Sequence, residues 1–299
     1  MTSTELVPYT DAQYTIEEAT ETDSTLIDAW LHGVPAQTQR AYRREIRDMQ
    51  YFLGDKQLQD ITLLDLQQYD EVVLMRKAPA SRKRAISAIK SLYKRLRQSG
   101  LIQVNPAEFL HLPKIKETQA ERYLTTAQVD AIVAQAKNQR DRAMLNLFYQ
   151  TGMRVSEVVA LTWKDILPTA TGATLVVYGK GGKTRYVAID ELMRDELLSL
   201  PHTADCVFPS GWIQNEGDKP TGKPITTTQA QRIVVAAAER AGIDASPHFF
   251  RHAHISHLFE AGVNAVEIRD EVGHASIATT NKYAYSVGGK ALGSVLRRK

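Results

Sequence analysis

The chain has 299 residues, 43% of them hydrophobic and 24% charged, with 37 Lys+Arg against 34 Asp+Glu for a net charge of +3, which is the make-up of a globular protein long enough for two domains. Its single cysteine, Cys206, excludes an intramolecular disulfide framework and a multi-cysteine zinc site, and fits a reducing, intracellular compartment. No apolar run approaches the roughly 20 residues of a membrane span, and the first residues lack the basic and apolar regions of a secretory signal, so neither a membrane nor a secreted protein is expected.

The charge is unevenly spread. Residues 1–39 hold seven acids and no Lys or Arg, leaving a body of net +10 that suggests a polyanionic partner. Residues 1–23 lack a sustained apolar period and are expected to be an acidic, flexible leader that discourages nonspecific binding of polyanions. From Thr25 the pattern turns helical, with Leu26, Ile27 and Trp30, then Tyr42, Ile46, Met49 and Leu53. Thr62 followed by Asp65 reads as a helix start. A further helix over about Ser81 to Ser99 is stopped by Gly100.

That last helix is strongly basic. No acid stands between Glu71 and Glu108, whereas Arg76, Lys77, Arg82, Lys83, Arg84, Lys90, Lys94, Arg95 and Arg97 all do. At 100° per residue Ala85, Ile86, Ile89, Leu92, Tyr93 and Leu96 share one face, and Lys83, Lys90, Lys94 and Arg97 share the other. Solvated faces usually alternate opposite charges at i,i+4, so an acid-free face points to nucleic-acid phosphate. Arg43 and Arg82 join these residues as candidate DNA contacts.

Asn105-Pro106 and the polar stretch from Pro113 to Ala120 read as a linker. Thr125 with Gln128 forms a capping-box signature that opens a second domain. A helix over Asp141 to Gln150 ends near Gly152, after which strand-like runs Ala173–Tyr178 and Thr184–Ile189 are joined by a hairpin, Gly179 to Lys183. Beyond a Gly/Pro-rich loop, residues 211–224, four helical patterns follow at about Thr227–Ala241, Pro247–Ala261, Ala265–Val272 and Ile277–Tyr285. The expected division is leader 1–23, helical polyanion-binding domain 24–111, linker 112–123, second domain 124–286 and basic tail 287–299.

Five local contexts stand out in this second part: Thr151-Gly152-Met153-Arg154-Val155-Ser156-Glu157, Gly179-Lys180-Gly181, His248-Phe249-Phe250-Arg251-His252, Gly273-His274, and Tyr283 nine residues after His274. Two guanidiniums offer forked, permanently charged donors for the non-bridging oxygens of a phosphodiester, and a histidine adds a donor where charge develops. A tyrosine, with an ordinary pKa near ~10, needs cationic neighbours or a base to attack as phenolate. A second histidine suits that proton, and a lysine between glycines suits protonation of a leaving oxygen.

With these segments in order, the sequence resembles the tyrosine recombinase family, the phage-integrase and Xer-like site-specific DNA recombinases, over about residues 25–286. Thr38-Gln39-Arg40-Ala41-Tyr42-Arg43-Arg44 is similar to the first DNA-clasping helix of that family. The resemblance implies that Arg154, Lys180, His248, Arg251 and His274 activate the phosphate and that Tyr283 is the nucleophile, with Tyr285 the rival and Glu157 supporting the helix terminus. It further implies a mainly α fold with a small antiparallel β-sheet, an all-helical SAM-like core-binding domain and an α+β catalytic domain closing as a C-shaped clamp on duplex DNA. The start of the Thr227 helix, at Thr227, Thr228 and Gln229, is expected to read base edges.

The implied partners are duplex DNA with a specific recombination site, further copies of the chain as a homotetramer on two sites, and an accessory or partner recombinase, within a nucleoid-associated cytoplasmic enzyme. The reaction exchanges one phosphoester for another through a 3′-phosphotyrosyl link, so no metal, ATP or other cofactor is expected. Phe250 and Val272 stand where the family usually has Leu, a change of packing and not of chemistry. The segment before Thr25 is too short for a further arm-DNA-binding domain, which favours a two-domain, Xer-like enzyme.

Other readings are weaker. Gly181-Gly182-Lys183-Thr184 lacks the earlier glycine and strand-to-helix context of a phosphate loop, since Val177 stands where that glycine belongs. His248, His252, His254 and His257 lack carboxylates among them and the zinc-protease spacing. A DNA-binding regulator without catalysis has no need of Tyr283 or Lys180, and a type IB topoisomerase shares the chemistry but acts through a single site.

Overall fold

A computed structural model describes residues 21–54, 56–114, 123–179, 182–211 and 222–284. The leader up to residue 20, Lys180, much of the linker, residues 212–221 and the tail therefore lie outside the described residues. The chain divides into two compact units, Met1–Lys116 and Glu117–Lys299.

The first unit is all helical: α1 (Glu21–Leu31), α2 (Ala36–Leu53), α3 (Leu63–Val72) and α4 (Pro79–Gln98), with two short 3₁₀ turns around α3. Helix α4 is central because its apolar stripe is continuous. Ala85, Ile86, Ala88, Ile89, Leu92, Tyr93 and Leu96 are all buried, in a core shared with Trp30 and Leu31 of α1 and Ile46 and Met49 of α2. Its polar atoms are also satisfied: the Tyr93 hydroxyl donates to Leu58 O at 2.9 Å, and Trp30 Nε1 donates to Ser91 Oγ at 3.2 Å. Gly100 ends α4 at φ +75°, with Gly100 N to Arg97 O at 3.1 Å and Leu101 N to Leu96 O at 3.1 Å. That pair of bonds requires the left-handed conformation that glycine adopts freely. The helix start expected at Thr62 is present, and the structure adds that Thr62 and Asp65 cap it reciprocally.

The basic run differs from its sequence reading. Arg82 forks onto Asp70 of α3 at 2.8 and 2.6 Å. Arg84 Nε reaches the buried Glu45 of α2 at 2.9 Å, and Lys77 meets Asp48 of α2 at 3.1 Å. For these three residues neighbouring helices supply the carboxylates, while the exposed Lys83 and Lys94 have no ion pair among the described residues.

The second unit comprises α5 (Thr126–Val133), α6 (Gln139–Thr151), α7 (Val155–Ala160), β1 (Ile166–Thr169), β2 (Gly172–Tyr178), β3 (Thr184–Asp190), α8 (Glu191–Leu198), α9 (Thr227–Arg240), α10 (Pro247–Glu260), α11 (Ala265–Val272) and α12 (Ile277–Ala284). The strands form one antiparallel sheet in the order β1-β2-β3, with Leu175 opposite Ile166 and Val187. Alternation places Ala173, Leu175, Val177, Val187 and Ile189 against a core that includes Leu147 and Phe148 of α6, Val234 of α9 and Phe250 of α10. The Thr125–Gln128 capping box opens α5 as expected.

Three elements were absent from the sequence reading. Strand β1 has four residues, one of them Pro168, with only Ile166 buried, so it shows no alternation; its place at the sheet edge is where proline is tolerated. Helix α7 has six residues, and α8 buries only Met193 and Leu197 along its length. A smaller cluster of Ile255, Ile268, Val272 and Tyr283 joins α10, α11 and α12. No helix among the described residues is long and apolar enough to cross a membrane.

Candidate active site

The site begins where α6 ends. Gly152 adopts φ +56°, and a Cβ there would lie 2.5 Å from His254 Cδ2, so glycine is needed both for the backbone turn and for the close approach of α10. The turn delivers Arg154 to the start of α7. Its backbone N donates to Glu157 Oε2 at 2.8 Å and its Nη1 to Oε1 at 3.0 Å. Arg185 approaches the same carboxylate from β3, Nη1 to Oε1 at 2.9 Å and Nη2 to Oε2 at 2.8 Å. Burial penalises the Glu157 charge, but the Arg185 bonds, the Arg154 amide and both cationic charges outweigh it and hold its pKa below the ordinary carboxylate value. Glu157 is therefore an ionised hub that orients its neighbours.

The C-terminal end of α11 is the second anchor. Arg185 Nε donates to Glu271 O at 2.8 Å, Arg251 Nη2 to Val272 O at 2.7 Å, and Arg154 Nη2 to Gly273 O at 2.9 Å. Three consecutive carbonyls thus hold three guanidiniums at the end of a helix where carbonyls lack intrahelical partners and the dipole is negative. Arg251 spans further, its Nη1 donating to Gly152 O at 2.5 Å, so one buried side chain on α10 ties the turn after α6 to the end of α11. Burial, with the Arg154 charge adding to it, lowers the Arg251 pKa to about 10, still charged at neutral pH.

His274 follows directly, its Nδ1 paired with the buried Thr280 Oγ1 at 2.9 Å. The His274 ring lies 6.4 Å from that of Tyr283 at an interplanar angle of 17°, and His252 lies 5.1 Å from Tyr283 on centroids. His248, a turn before His252 on α10, is 6.3 Å from it. Burial together with Arg251 and Arg154 lowers the pKa of His248 and takes that of His274 to about 4; burial together with His248 and Arg251 takes that of His252 to about 4 as well. Tyr283 is 8% exposed, and burial raises its pKa against the opposing pull of Arg251. Burial first, and the neighbouring cations after it, keep the histidines of this centre neutral, and a bound anion would offset the cationic repulsion.

Arg154, His248, Arg251, His274 and Tyr283 are thus gathered in one unit. Lys180 lies outside the described residues; on either side of it, Gly179 N meets Lys183 O at 2.7 Å and Tyr178 pairs with Thr184. Arg185, His252 and Thr280 were not singled out from sequence as parts of the site. Arg185 carried a signal: it shares the phase of the inward-facing Val187 and Ile189, an arginine where β3 should be apolar.

The candidate DNA contacts divide differently. Lys83 and Lys94 are exposed and have no ion pair among the described residues. Arg43 pairs with Asp28, Arg82 with Asp70 and Arg97 with Glu108, the last at 3.4 Å. Lys90 Nζ donates to the carbonyls of Glu108 and Leu110 at 2.7 and 3.0 Å, fastening the chain after α4 onto that helix. Thr227 and Thr228 are exposed at the start of α9, while Gln229 is a capping residue, its Oε1 accepting from Thr226 N at 2.8 Å.

Comparison with known proteins identifies the family and the fold. The pattern of the phage integrase family matches residues 122–287, and that of the phage integrase N-terminal SAM-like domain matches residues 30–100. Tyrosine recombinase XerD of Vibrio cholerae serotype O1 is 30% identical over 297 residues, covering 90% of this chain and 94% of that protein. Tyrosine recombinase XerC of Pseudomonas fluorescens is 32% identical over 268 residues, 84% of this chain and 86% of that protein. In fold the chain is similar to a lambda integrase dimer bound to a COC′ core site, with a TM-score of 0.71 at 20% identity over 89% of this chain and 78% of that one. It is similar also to XerH bound to a palindromic difH substrate, with a TM-score of 0.71 at 16% identity over 91% and 84%. The chain belongs to the phage integrase family of tyrosine recombinases, enzymes that cut and rejoin DNA at specific sites.

Proposed function

We propose that Arg154, Arg251 and His274 hold the scissile phosphate of a duplex recombination site while Tyr283 attacks it. The observation that carries this reading is the convergence of two anchored guanidiniums and neutral histidines around one buried tyrosine. The Tyr283 oxygen forms a bond to phosphorus as the bond to the 5′-oxygen breaks. His248 takes the phenol proton, and Lys180 gives a proton to the departing 5′-oxygen. A 5′-hydroxyl from a partner strand then reverses the step, and the tyrosine leaves. One phosphoester is exchanged for another at each stage, so the sequence balances without a nucleotide.

Strand exchange needs two duplexes and several copies of the chain, and a solved relative is a lambda integrase tetramer bound to a Holliday junction. By the same reading this chain acts as a tetramer on two sites. Incubation with fragmented genomic DNA of its own cell, quenched in denaturant, should recover protein-linked fragments sharing one sequence; unlinked DNA alone would refute the assignment.

In the first unit the reading assigns phosphate contact to Lys83 and Lys94, whose charges are uncommitted, and assigns Lys90 to holding the chain after α4. Alanine at Lys83 or Lys94 should weaken binding equally on all sequences and lower the slope of log affinity against log salt by about 1. An unchanged slope in both variants would remove α4 from the interface. Thr227 and Thr228 stay assigned to base edges, with Gln229 serving the start of their helix.

A further inference from the structure

We infer that Arg185 is a positioning residue for bond exchange, acting through Glu157 to leave Arg154 both fixed and electrically available to the phosphate. This rests on the assignment of Arg154 and Tyr283 above. Glu157 is buried and ionised, and facing Arg154 alone it would form a neutral pair with the very cation the phosphate needs. Arg185 alters that balance. It meets the carboxylate with two parallel bonds, the geometry in which guanidinium binds most firmly, whereas the Arg154 side chain contributes only one.

Exposure separates the two arginines further. The Arg185 side chain is 12% exposed and that of Arg154 is 38%, so one is withdrawn into the fold while the other stands at the surface where a phosphate arrives. The Arg185 guanidinium also lies against Gly273, where a Cβ would be 3.2 Å from its Nη1, and its Nε holds Glu271 O. Arg185 thereby ties β3 to α7 and α11, and β3 begins at the base of the hairpin that carries Lys180 in sequence.

The probe is the duplex recovered by trapping the wild-type protein on genomic fragments, synthesised with a nick beside the cleavage point so that covalent product accumulates. Arg185→Gln should form adduct about 100-fold more slowly, the scale of a small misplacement of reacting groups, while its affinity for the same duplex stays close to wild type and its melting temperature falls, since Glu157 and Glu271 O lose their partner. Arg185→Lys, which keeps the charge and loses the fork, should recover part of the rate. Adding Glu157→Gln to Arg185→Gln removes the uncompensated carboxylate and should recover at least about tenfold over Arg185→Gln alone at a temperature well below the melting transitions of both variants, where a merely structural role for Arg185 would give no rescue.

A wild-type rate in Arg185→Gln overturns the inference, as does a double variant no faster than Arg185→Gln. If Arg185→Gln lacks a melting transition, Arg185→Lys carries the test, and a wild-type rate in that variant overturns it. A wild-type protein that yields no adduct overturns the Tyr283 assignment and this inference together, so the two failures are distinct.

Discussion

Replacing Tyr283 with phenylalanine is expected to abolish covalent protein–DNA adducts while leaving DNA affinity and folding intact. The ring sits in the cluster of Ile255, Ile268 and Val272, where phenylalanine fills the same space, so the change removes little beyond the hydroxyl. Under the proposed assignment Tyr283 alone carries the phosphoryl transfer, so the lost rate is the whole catalysed step. The measurement is a denaturing gel after quenching on the trapped duplex. Adducts that persist in Tyr283→Phe and vanish in Tyr285→Phe would transfer the role to Tyr285. The outcome matters because burial works against the nucleophile: Tyr283 is raised above the ordinary phenol pKa in the absence of DNA, so attack depends on the phosphate, the cations and a base arriving together.

The second large effect is expected at Arg251. Its guanidinium bridges Gly152 O and Val272 O, and lysine cannot span both, since one ammonium offers a point charge in place of a planar fork. Arg251→Lys keeps the charge and should still lower the rate of adduct formation by about 10²–10³, the range seen when one preorganised donor to a transition state is lost. The unpaired carbonyls should also lower stability, by about 1–3 kcal/mol for each one left buried without a partner. Single-turnover cleavage and chemical denaturation measure the two effects separately. A rate within tenfold of wild type would mean that charge alone, without orientation, serves at this position.

The fold was legible where a pattern ran long enough to declare itself. The stripe on α4 from Ala85 to Leu96, the Gly100 stop and the helix starts at Thr62 and Thr125 all rest on local physical chemistry, and the structure reproduces each. Strand β1 and helix α7 escaped because four and six residues are too few for a period to be separated from chance, and α8 escaped because it buries only Met193 and Leu197, too sparse a stripe to declare a helix. The pairing of Lys77, Arg82 and Arg84 was not legible either. Glu45, Asp48 and Asp70 are distant in sequence from the arginines and lysine they meet, so compensation across helices left no trace in the local order of residues.

At the site, motif spacing identified the groups proposed to touch phosphate, whose chemistry is particular to residue type. It did not identify what holds them. The carbonyls of Glu271, Val272 and Gly273 have no side-chain signature, and any residue supplies such an atom. Arg185 is the exception, being visible as a charge in the buried phase of a strand.

The Gly/Pro-rich loop ends in a closed stem: Pro209 bridges Pro224, Ser210 N donates to Lys223 O at 2.7 Å, and Ile225 N to Phe208 O at 2.9 Å. These bonds fix the spacing of the two chain ends independently of what lies between them, and doubling the length of a connection costs only about 0.6 kcal/mol of closure entropy. An affinity handle or fluorophore inserted between Gly211 and Gly222 is therefore expected to leave the start of α9 in place, which a melting temperature near that of the parent chain would check.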